Sequence, residues 1–536
     1  MNRADTKILV SGISLPLSAS SAEAIKEARR RLRGVRLLSE GVRLSVYRRS
    51  VDARRREDIR LVYSVLAEGH FPPALLEKHR ARFPVLREEA PVAVFGEKPL
   101  SHRPVVVGTG PCGLFCALLL AENGYRPLVL ERGGTVEERR AAVEKLKTLR
   151  ILDPDTNIQF GAGGAGTFSD GKLVTRVNDP LCAFVLDTFV SFGAPEEIRS
   201  LAKPHVGTDV LSGIVERMLA RIEELGGEVR YHTPVKELSF ADGAVRAVVT
   251  DEGEIPTDAL VLAIGHSARD TYEMLLSHPF SVEPKPFSVG LRVEHLQGDI
   301  DRAMYGDAAG HPALGHAEYS LSYNTKVRGV YTFCMCPGGE VVAATSEAGG
   351  VVVNGMSHHA RDGKNANSAV VCSIFREDYG NTPMGAIAFQ RALEKKAALA
   401  GGGRYAAPLS TVGDFLEGKQ GSEPSRVLPT YMDGEGVTLT SHHAYLPPVV
   451  ASGLQNGLRA FGKQIDGFDA PYALLTGVET RTSAPVRILR GEGRVALGTK
   501  NVYPAGEGAG YAGGITSAAI DGIRTALALM ATYRQP

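Results

Sequence analysis

Val105-Val106-Val107-Gly108-Thr109-Gly110-Pro111-Cys112-Gly113 is the stretch that decides the fold of this 536-residue chain. A continuous β-branched run from Pro104 to Val107 reads as a strand buried on both faces. Three glycines in the GxGxxG spacing follow it. Leu114, Phe115, Leu118 and Ala121 then give a helix an apolar face, and Gly124 is placed to end it with a left-handed cap. A second apolar strand, Leu128-Val129-Leu130, delivers Glu131. Each glycine has a physical task. Gly108 makes the tight turn, Gly110 lets a pyrophosphate approach the backbone, and Gly113 lets helix pack on strand. The helix start, with Pro111 at its first position, offers unpaired N–H groups and a positive dipole end to that pyrophosphate. Glu131 lies 21 residues beyond Gly110, the distance at which a carboxylate reaches the ribose hydroxyls. Cys112 and Cys116 lie one turn apart on this helix and read as packing residues.

The other end of the chain separates FAD from NAD. Asn501-Val502-Tyr503-Pro504-Ala505-Gly506-Glu507-Gly508 is a short strand that ends in an acidic residue between glycines. Gly513-Gly514-Ile515 then opens a helix that runs to about Met530. Such a strand end suits the ribityl chain of FAD. The helix start suits the pyrimidine edge of the flavin, where negative charge develops on reduction. Val261-Leu262-Ala263-Ile264-Gly265 supplies a third strand of the same kind.

Between these ends the pattern changes several times. Residues 1–97 read as a small basic α/β domain, with strands at Lys7–Leu15, Val42–Val51 and Asp58–Leu66 and a helix at Ala22–Leu32 capped by Ser20 or Ser21. Thr208–Leu225 reads as an amphipathic helix capped by Thr208 or Asp209. Glu228–Gly265 reads as a β-meander, turning at Asp242-Gly243 and Glu252-Gly253. Residues 286–470 are strand-rich with long polar loops. The expectation is therefore an α/β protein with a Rossmann-type FAD-binding domain that is discontinuous in sequence, 98–285 and 471–536. An inserted β-rich α+β substrate domain, 286–470, interrupts it.

Composition agrees with a globular protein: 43% hydrophobic and 23% charged residues, with 60 glycines that cluster instead of repeating. The net charge of +1 offers no global field for nucleic acid or membrane. Residues 1–90 nevertheless hold 19 Lys/Arg against 11 Asp/Glu, concentrated in Arg29–Arg31 and Arg54–Arg56. A solvated face is the plainer reading of that excess, and RNA or an acidic protein is the sharper one. Six cysteines, no leader pattern across Met1–Leu15 and no run of 18 apolar residues lead us to expect reduced thiols in a cytoplasmic protein.

Four further runs carry a family resemblance: Gly161-Ala162-Gly163-Gly164-Ala165-Gly166-Thr167-Phe168-Ser169-Asp170-Gly171-Lys172, Phe333-Cys334-Met335-Cys336-Pro337-Gly338-Gly339, Asn354-Gly355-Met356-Ser357 and Gly477-Val478-Glu479-Thr480-Arg481-Thr482-Ser483. With these, residues 100–536 resemble the glutathione-reductase-type FAD/NAD(P)-binding superfamily, and within it a family known as uncharacterised FAD-dependent dehydrogenases. The resemblance implies FAD at Gly108, Gly110, Gly113, Glu131, Arg132, Arg139, Gly506, Glu507 and Gly514. It also implies that the Gly161–Gly171 loop lines the flavin, which adds Gly163, Gly164, Gly166 and Thr167; Pro111, Gly265 and Ile515 complete the cofactor set. The chain departs from the superfamily pattern at Glu507, where Asp is common, and at Ala162, where an acidic residue is expected. No second GxGxxG follows a strand, so any NAD(P)H would act as a transient donor without a Rossmann unit of its own.

For chemistry, the candidates are Arg481, Glu479, Cys334 and Cys336, with Arg292, Glu294, Tyr319 and His442 as further acid/base or orienting groups. Arg481 could hold a substrate carboxylate, or it could pair with Glu479 to brace the inserted domain. Cys334-Met335-Cys336 places two thiols on one side of an extended strand, either as a redox pair or as packing beside a tight turn. His358-His359 and His442-His443, as neighbours on a strand, would point to opposite faces and bind no metal together. The functional expectation is an FAD-dependent oxidoreductase passing a hydride or electrons to a small-molecule substrate. The alternative is an RNA- or protein-binding module in which FAD is structural or regulatory.

Overall fold

A computed structural model describes residues 6–175, 177–325 and 327–536. Residues 1–5, part of the stretch read for a leader, lie outside the described residues. The chain forms two compact units.

The smaller unit gathers 1–90, 176–205 and 301–317. Its three antiparallel strands stand in the order Thr6–Pro16, Arg60–Gly69, Arg43–Asp52. The central strand alternates, with Leu61, Tyr63, Val65 and Ala67 buried on one face, as a period of two requires. The helix Ser21–Gly34 lays Ala24, Ala28 and Leu32 on that face. Both edges are managed. Arg49 on the outer strand exchanges backbone hydrogen bonds with Ser200 and Ala202, which covers what would be an open ladder. The basic runs are partly neutralised locally: Arg30 and Arg31 pair with Glu27, and Arg54 pairs with Asp52.

The larger unit holds 91–175, 206–300 and 318–536. The segments 176–205 and 301–317, read from the sequence as parts of the FAD-binding and inserted domains, thus lie with residues 1–90. Hydrophobic patterning gives local periodicity and carries no signal for such long-range assignment. A five-stranded parallel sheet runs Val502–Pro504, Leu260–Leu262, Val105–Val107, Leu128–Leu130, Glu228–Arg230. The two ends of the Glu228–Gly265 run therefore belong to this sheet. Only Glu237–Ala241, Ala244–Thr250 and Gly253–Pro256 form the meander. The Pro111–Glu122 and Ile515–Thr532 helices pack against each other beside the sheet. They approach so closely that a Cβ on Gly522 would lie 2.1 Å from the Cys112 carbonyl. Cys112 and Cys116 are buried in this packing. Thr208–Glu224 starts from Gly207, φ 82°, and neither Thr208 nor Asp209 caps it.

The second sheet of this unit has seven strands, ordered Ser322–Asn324, Gly329–Cys336, Asn365–Ile374, Phe287–Leu296, Leu474–Glu479, Ala407–Thr411, Val437–Leu439. The helix Pro448–Gly462 lies against it through Gly453 and Gly457, where added Cβ atoms would collide with Cys372 and Val330. Phe287–Leu296 is central and almost wholly buried, although it carries Arg292, Glu294 and His295. Such buried charges require partners. Among the described residues no helix is long and apolar enough to cross a membrane.

Candidate functional site

The cleft lies at the carboxyl ends of the parallel strands, where doubly wound sheets bind ligands. Val107, Leu130, Ala263 and Ala505, at or just past four strand ends, all line it. The turn after Val107 follows from sterics. Gly108 has φ 99°, and a Cβ there would meet the Ala263 carbonyl at 2.4 Å. A Cβ on Gly113 would stand 1.9 Å from the Gly108 carbonyl. Gly113 thus seats the helix on the strand from behind and does not line the cleft. Gly110 does line it, with only the Gly164 Cα within 4 Å of the place its Cβ would take.

Both helices that open here begin without a capping side chain, from Gly110 and from Gly514 at φ 97°. Nothing of the protein lies within 4 Å of where a Gly514 Cβ would stand. The cleft is therefore faced by two helix starts whose N–H groups the protein leaves to a ligand. Glu131 is buried at its rim. It accepts hydrogen bonds from the N–H groups of Thr109, Gly133 and Gly161, each at 3.0 Å. Arg132 lines the same end, paired with Asp155 and Asp270 at 2.8 Å and lying over the Phe160 ring. This set of helix N–H donors, close-approach glycine backbone and an accepting carboxylate fits an adenine dinucleotide.

The Gly161–Gly171 loop forms the opposite wall through Gly161, Gly164, Ala165, Gly166, Ser169 and Asp170. Arg139, read as a cofactor contact, stands behind this wall. It donates to the carbonyls of Asn157, Ile158 and Ala162 at 2.8, 2.6 and 2.8 Å and lies over the Phe168 ring. Burial pushes its guanidinium down to about 9, with Glu131 opposing. Gly163 and Thr167 also stay out of the cleft, because a Cβ on Gly163 would strike Thr167 Oγ1 at 2.2 Å. Gly506 donates its N–H to Asp521 at 2.8 Å and packs on Cys112, so it shapes the strand end without facing the ligand. Gly265, Glu507, Gly514 and Ile515 all line the cleft. Burial raises the Glu507 carboxyl to about 7, with Lys285 opposing.

The seven-stranded sheet contributes Phe333 and Cys334, with Arg481 and Thr482 just past the end of its Leu474–Glu479 strand; Asn354 comes from the two-stranded sheet of Glu340–Ala343 and Val353–Met356. Arg481 reaches the cleft, but its partner is Glu394, at 3.2 Å, and Ser346, at 2.5 Å. Burial holds its guanidinium below the ordinary value, with Glu394 opposing. Glu479 does not reach the cleft. It receives two hydrogen bonds from Arg292, at 2.7 and 2.9 Å, and both groups are buried. Two residues apart on a strand they would share a face, but Glu479 and Arg481 straddle the end of the Leu474–Glu479 strand and part company. Arg292 also donates to Asn367, Asn354 and the Cys334 carbonyl. Cys336 is fully buried beneath Cys334.

The remaining candidates do not line this cleft. Glu294 accepts from Asn365 and Thr430, Tyr319 bonds Ser368, and His442 bonds Tyr445 and the Leu475 carbonyl. His442 and His443 occupy a single 3-10 turn, so the strand geometry expected of them does not apply. Among the described residues no group of three metal-ligating side chains occurs.

Three cleft residues were not singled out from the sequence. Lys172 closes the glycine loop run. Burial works against its charge, yet Asp170, at 3.7 Å, and the neighbouring cysteines hold its ammonium above the ordinary value. His266 lies four residues past the Leu260–Leu262 strand; burial, with Arg481 and Arg269 adding, pushes it down to about 3. Asn354 lies in the quoted Asn354–Ser357 run. A Lys, a His and an Asn in such positions carry no spacing signal of their own.

Comparison with known proteins agrees with the geometry. Residues 103–259 match the model of the FAD binding domain, and residues 286–482 match that of the FAD-dependent protein, C-terminal domain-like family. Fold and cleft define a flavoprotein with FAD as its cofactor. An uncharacterized protein of Clostridium beijerinckii is 44% identical over 500 residues, 92% of this chain and 93% of that one. The chain belongs to the same family of FAD-binding proteins. Solved structures that are similar include the flavin-dependent brominase Bmp2 triple mutant, 11% identical over 80% of each chain with a TM-score of 0.37. CtdE in complex with FAD is 12% identical over 79% of this chain and 82% of that one, TM-score 0.30. Glycerol-3-phosphate dehydrogenase from Bacillus halodurans complexed with FAD is 10% identical over 81% and 65%, TM-score 0.34. Likeness at these scores says nothing about activity.

Proposed function

We propose that the protein is an FAD-dependent oxidoreductase that moves a hydride or an electron pair between its flavin and a small-molecule substrate. The observation that carries this reading is one cleft lined both by the dinucleotide-binding turns and by Arg481, Asn354 and Thr482, which lie outside the parallel sheet. When bound, FAD supplies the two-electron chemistry.

The chain's own residues do the rest. The uncapped start of the Ile515–Thr532 helix places a positive dipole end where negative charge is to be stabilised. Arg481 adds a fixed cation at the same cleft, held in orientation by Glu394 and Ser346. An anionic or carboxylate substrate suits that cation. Glu507, with its carboxyl raised to about 7, is positioned to hold or release a proton near neutral pH. His266 remains a neutral imidazole, its Nδ1 2.9 Å from Ser267 Oγ, and is suited to orienting a polar group without adding charge.

The test is spectral. The purified protein is titrated anaerobically with NADH, NADPH and a panel of organic acids, amines and alcohols while flavin absorbance is followed. Bleaching by one class of donor, reversed by an acceptor, is the expected result. A flavin reduced by dithionite alone, with every donor and acceptor inert, would leave it a structural cofactor.

A further inference from the structure

Cys334 and Cys336 do not sit as an extended strand would place them. The register of Gly329–Cys336 against Asn365–Ile374 shifts between Phe333 and Cys336, and Cys334 has φ 45°. A left-handed residue that is not glycine is strained, and such strain gathers at functional positions. In a regular strand the Cα atoms of residues two apart lie about 6.6 Å from each other, near the upper limit for a disulfide. The kink breaks that regular spacing and turns the two thiols to different surroundings. Cys334 lines the flavin cleft, while Cys336 is wholly buried behind it.

The surroundings of Cys334 are cationic. Arg292 donates to its carbonyl at 3.1 Å, and the Lys172 ammonium donates to the Met335 carbonyl next to it. The Cys336 thiol donates to the Cys334 carbonyl at 3.4 Å. Its nearness holds the Cys334 thiol below the ordinary value; burial and Glu479 oppose, and Arg292 and Lys172 add to the effect. The same pairing, with burial, pushes Cys336 up. Cys334 thus faces the cleft beside two cations with its thiol lowered, and Cys336 lies buried behind it with its thiol raised. That asymmetry is the arrangement of an attacking and a resolving cysteine.

We propose that Cys334 and Cys336 form a thiol–disulfide exchange centre in the flavin cleft, with Cys334 attacking and Cys336 resolving, and that its substrate is a small disulfide. The step balances. The Cys334 thiolate attacks one sulfur of the disulfide, forming a mixed disulfide and releasing one thiolate. Cys336 loses its proton, attacks the Cys334 sulfur and releases the second thiolate, which leaves a Cys334–Cys336 disulfide. The small disulfide is reduced by two electrons and the cysteine pair is oxidised by two. This deepens the oxidoreductase reading by naming a substrate class, but the exchange itself uses only the chain's own sulfurs.

The experiment uses the full chain with its flavin, in a Cys182→Ser background that removes the half-exposed thiol, and the disulfide DTNB as probe. Cys334 is expected to react on the order of tenfold faster than a free thiol at neutral pH. Two equivalents of coloured thiolate should appear per chain, and mass spectrometry should find a Cys334–Cys336 crosslink. Cys336→Ser should stop at one equivalent and a stable mixed disulfide on Cys334. Cys334→Ser should abolish the fast phase. Reaction of Cys334 no faster than that of a denatured control, or two equivalents without the crosslink, would overturn the proposal. The wild-type rate and crosslink decide the matter even if a variant fails to fold. Failure here with intact donor-driven bleaching would leave the oxidoreductase reading standing.

Discussion

Arg481 donates to Glu394, 3.2 Å away and 87 positions earlier in the chain, and not to Glu479 two residues before it. Glu394 in turn holds Arg269 at 2.7 Å, Arg269 holds Glu347 at 2.7 Å, and Glu347 holds Arg391, which contacts Glu273. The charges alternate along this chain, and it ends at the cleft. Arg481 is therefore presented to the ligand as a cation whose position is fixed by neighbours that are themselves fixed.

Replacing Arg481 by Met should slow reduction of the flavin by its donor by roughly 10²-fold, the scale for one preorganised charged donor. On the proposed reading Arg481 meets the substrate, so flavin content should not change. Anaerobic stopped-flow absorbance measures the first quantity and the absorbance ratio of the purified protein measures the second. Equal loss of both would show that Arg481 holds the cofactor instead.

Arg292 and Glu479 are both buried and paired at 2.7 Å. Removing one partner leaves the other as an uncompensated buried charge, which costs about 3–5 kcal/mol. Arg292→Met and Glu479→Leu should each show that loss in urea unfolding. The double variant should recover much of it. Additive losses would mean that the two groups are stabilised by other partners.

The glycines of the turn should separate by function. Gly113→Ala forces a Cβ to 1.9 Å from the Gly108 carbonyl, so helix and strand must part and the fold is destabilised. Gly110→Ala meets only the Gly164 Cα, at 3.9 Å, and the fold tolerates it. Its methyl group nevertheless occupies the approach to the helix start, and FAD affinity should fall about 10- to 100-fold. Fluorescence titration of the apoprotein with FAD, beside a thermal melt, distinguishes the two outcomes.

Glu294 is buried, and burial raises its carboxyl from 4.5 to about 7. The folded state therefore binds its proton more tightly than the unfolded state does. Its stabilising contribution is full below pH 4.5 and is lost as pH rises through about 7, on the order of 3 kcal/mol at most. Glu294→Gln should match the wild type at pH 4 and exceed it at pH 8. A difference curve flat across that window, followed by urea unfolding at each pH, would contradict the assignment.

The parts legible in the sequence are those written in backbone requirements. Gly108, Gly110, Gly113 and the apolar strand before them specify a turn that only one geometry satisfies, and Gly514 marks a second helix start by the same logic. Side-chain partnerships were not legible. Glu394 lies on the Pro383–Ala400 helix, and nothing in its surroundings marks it as the partner of Arg481. An Arg481–Glu479 pair is one of two readings that proximity in sequence leaves open, and the end of the strand between them defeats it. The conformation of Cys334 was hidden too, since a left-handed cysteine has no compositional signature. The placement of 176–205 with residues 1–90 depends on pairing between distant segments, which local periodicity does not encode.

The central claim is that the Gly108–Gly113 turn and the Gly514 helix start build one flavin site. Its most direct test is the absorbance spectrum and FAD content of the purified full chain, measured beside Gly110→Ala. The account expects a yellow protein with about one FAD per chain, released on denaturation as free FAD and depleted in the variant. A colourless protein that fails to quench the fluorescence of added FAD would contradict it.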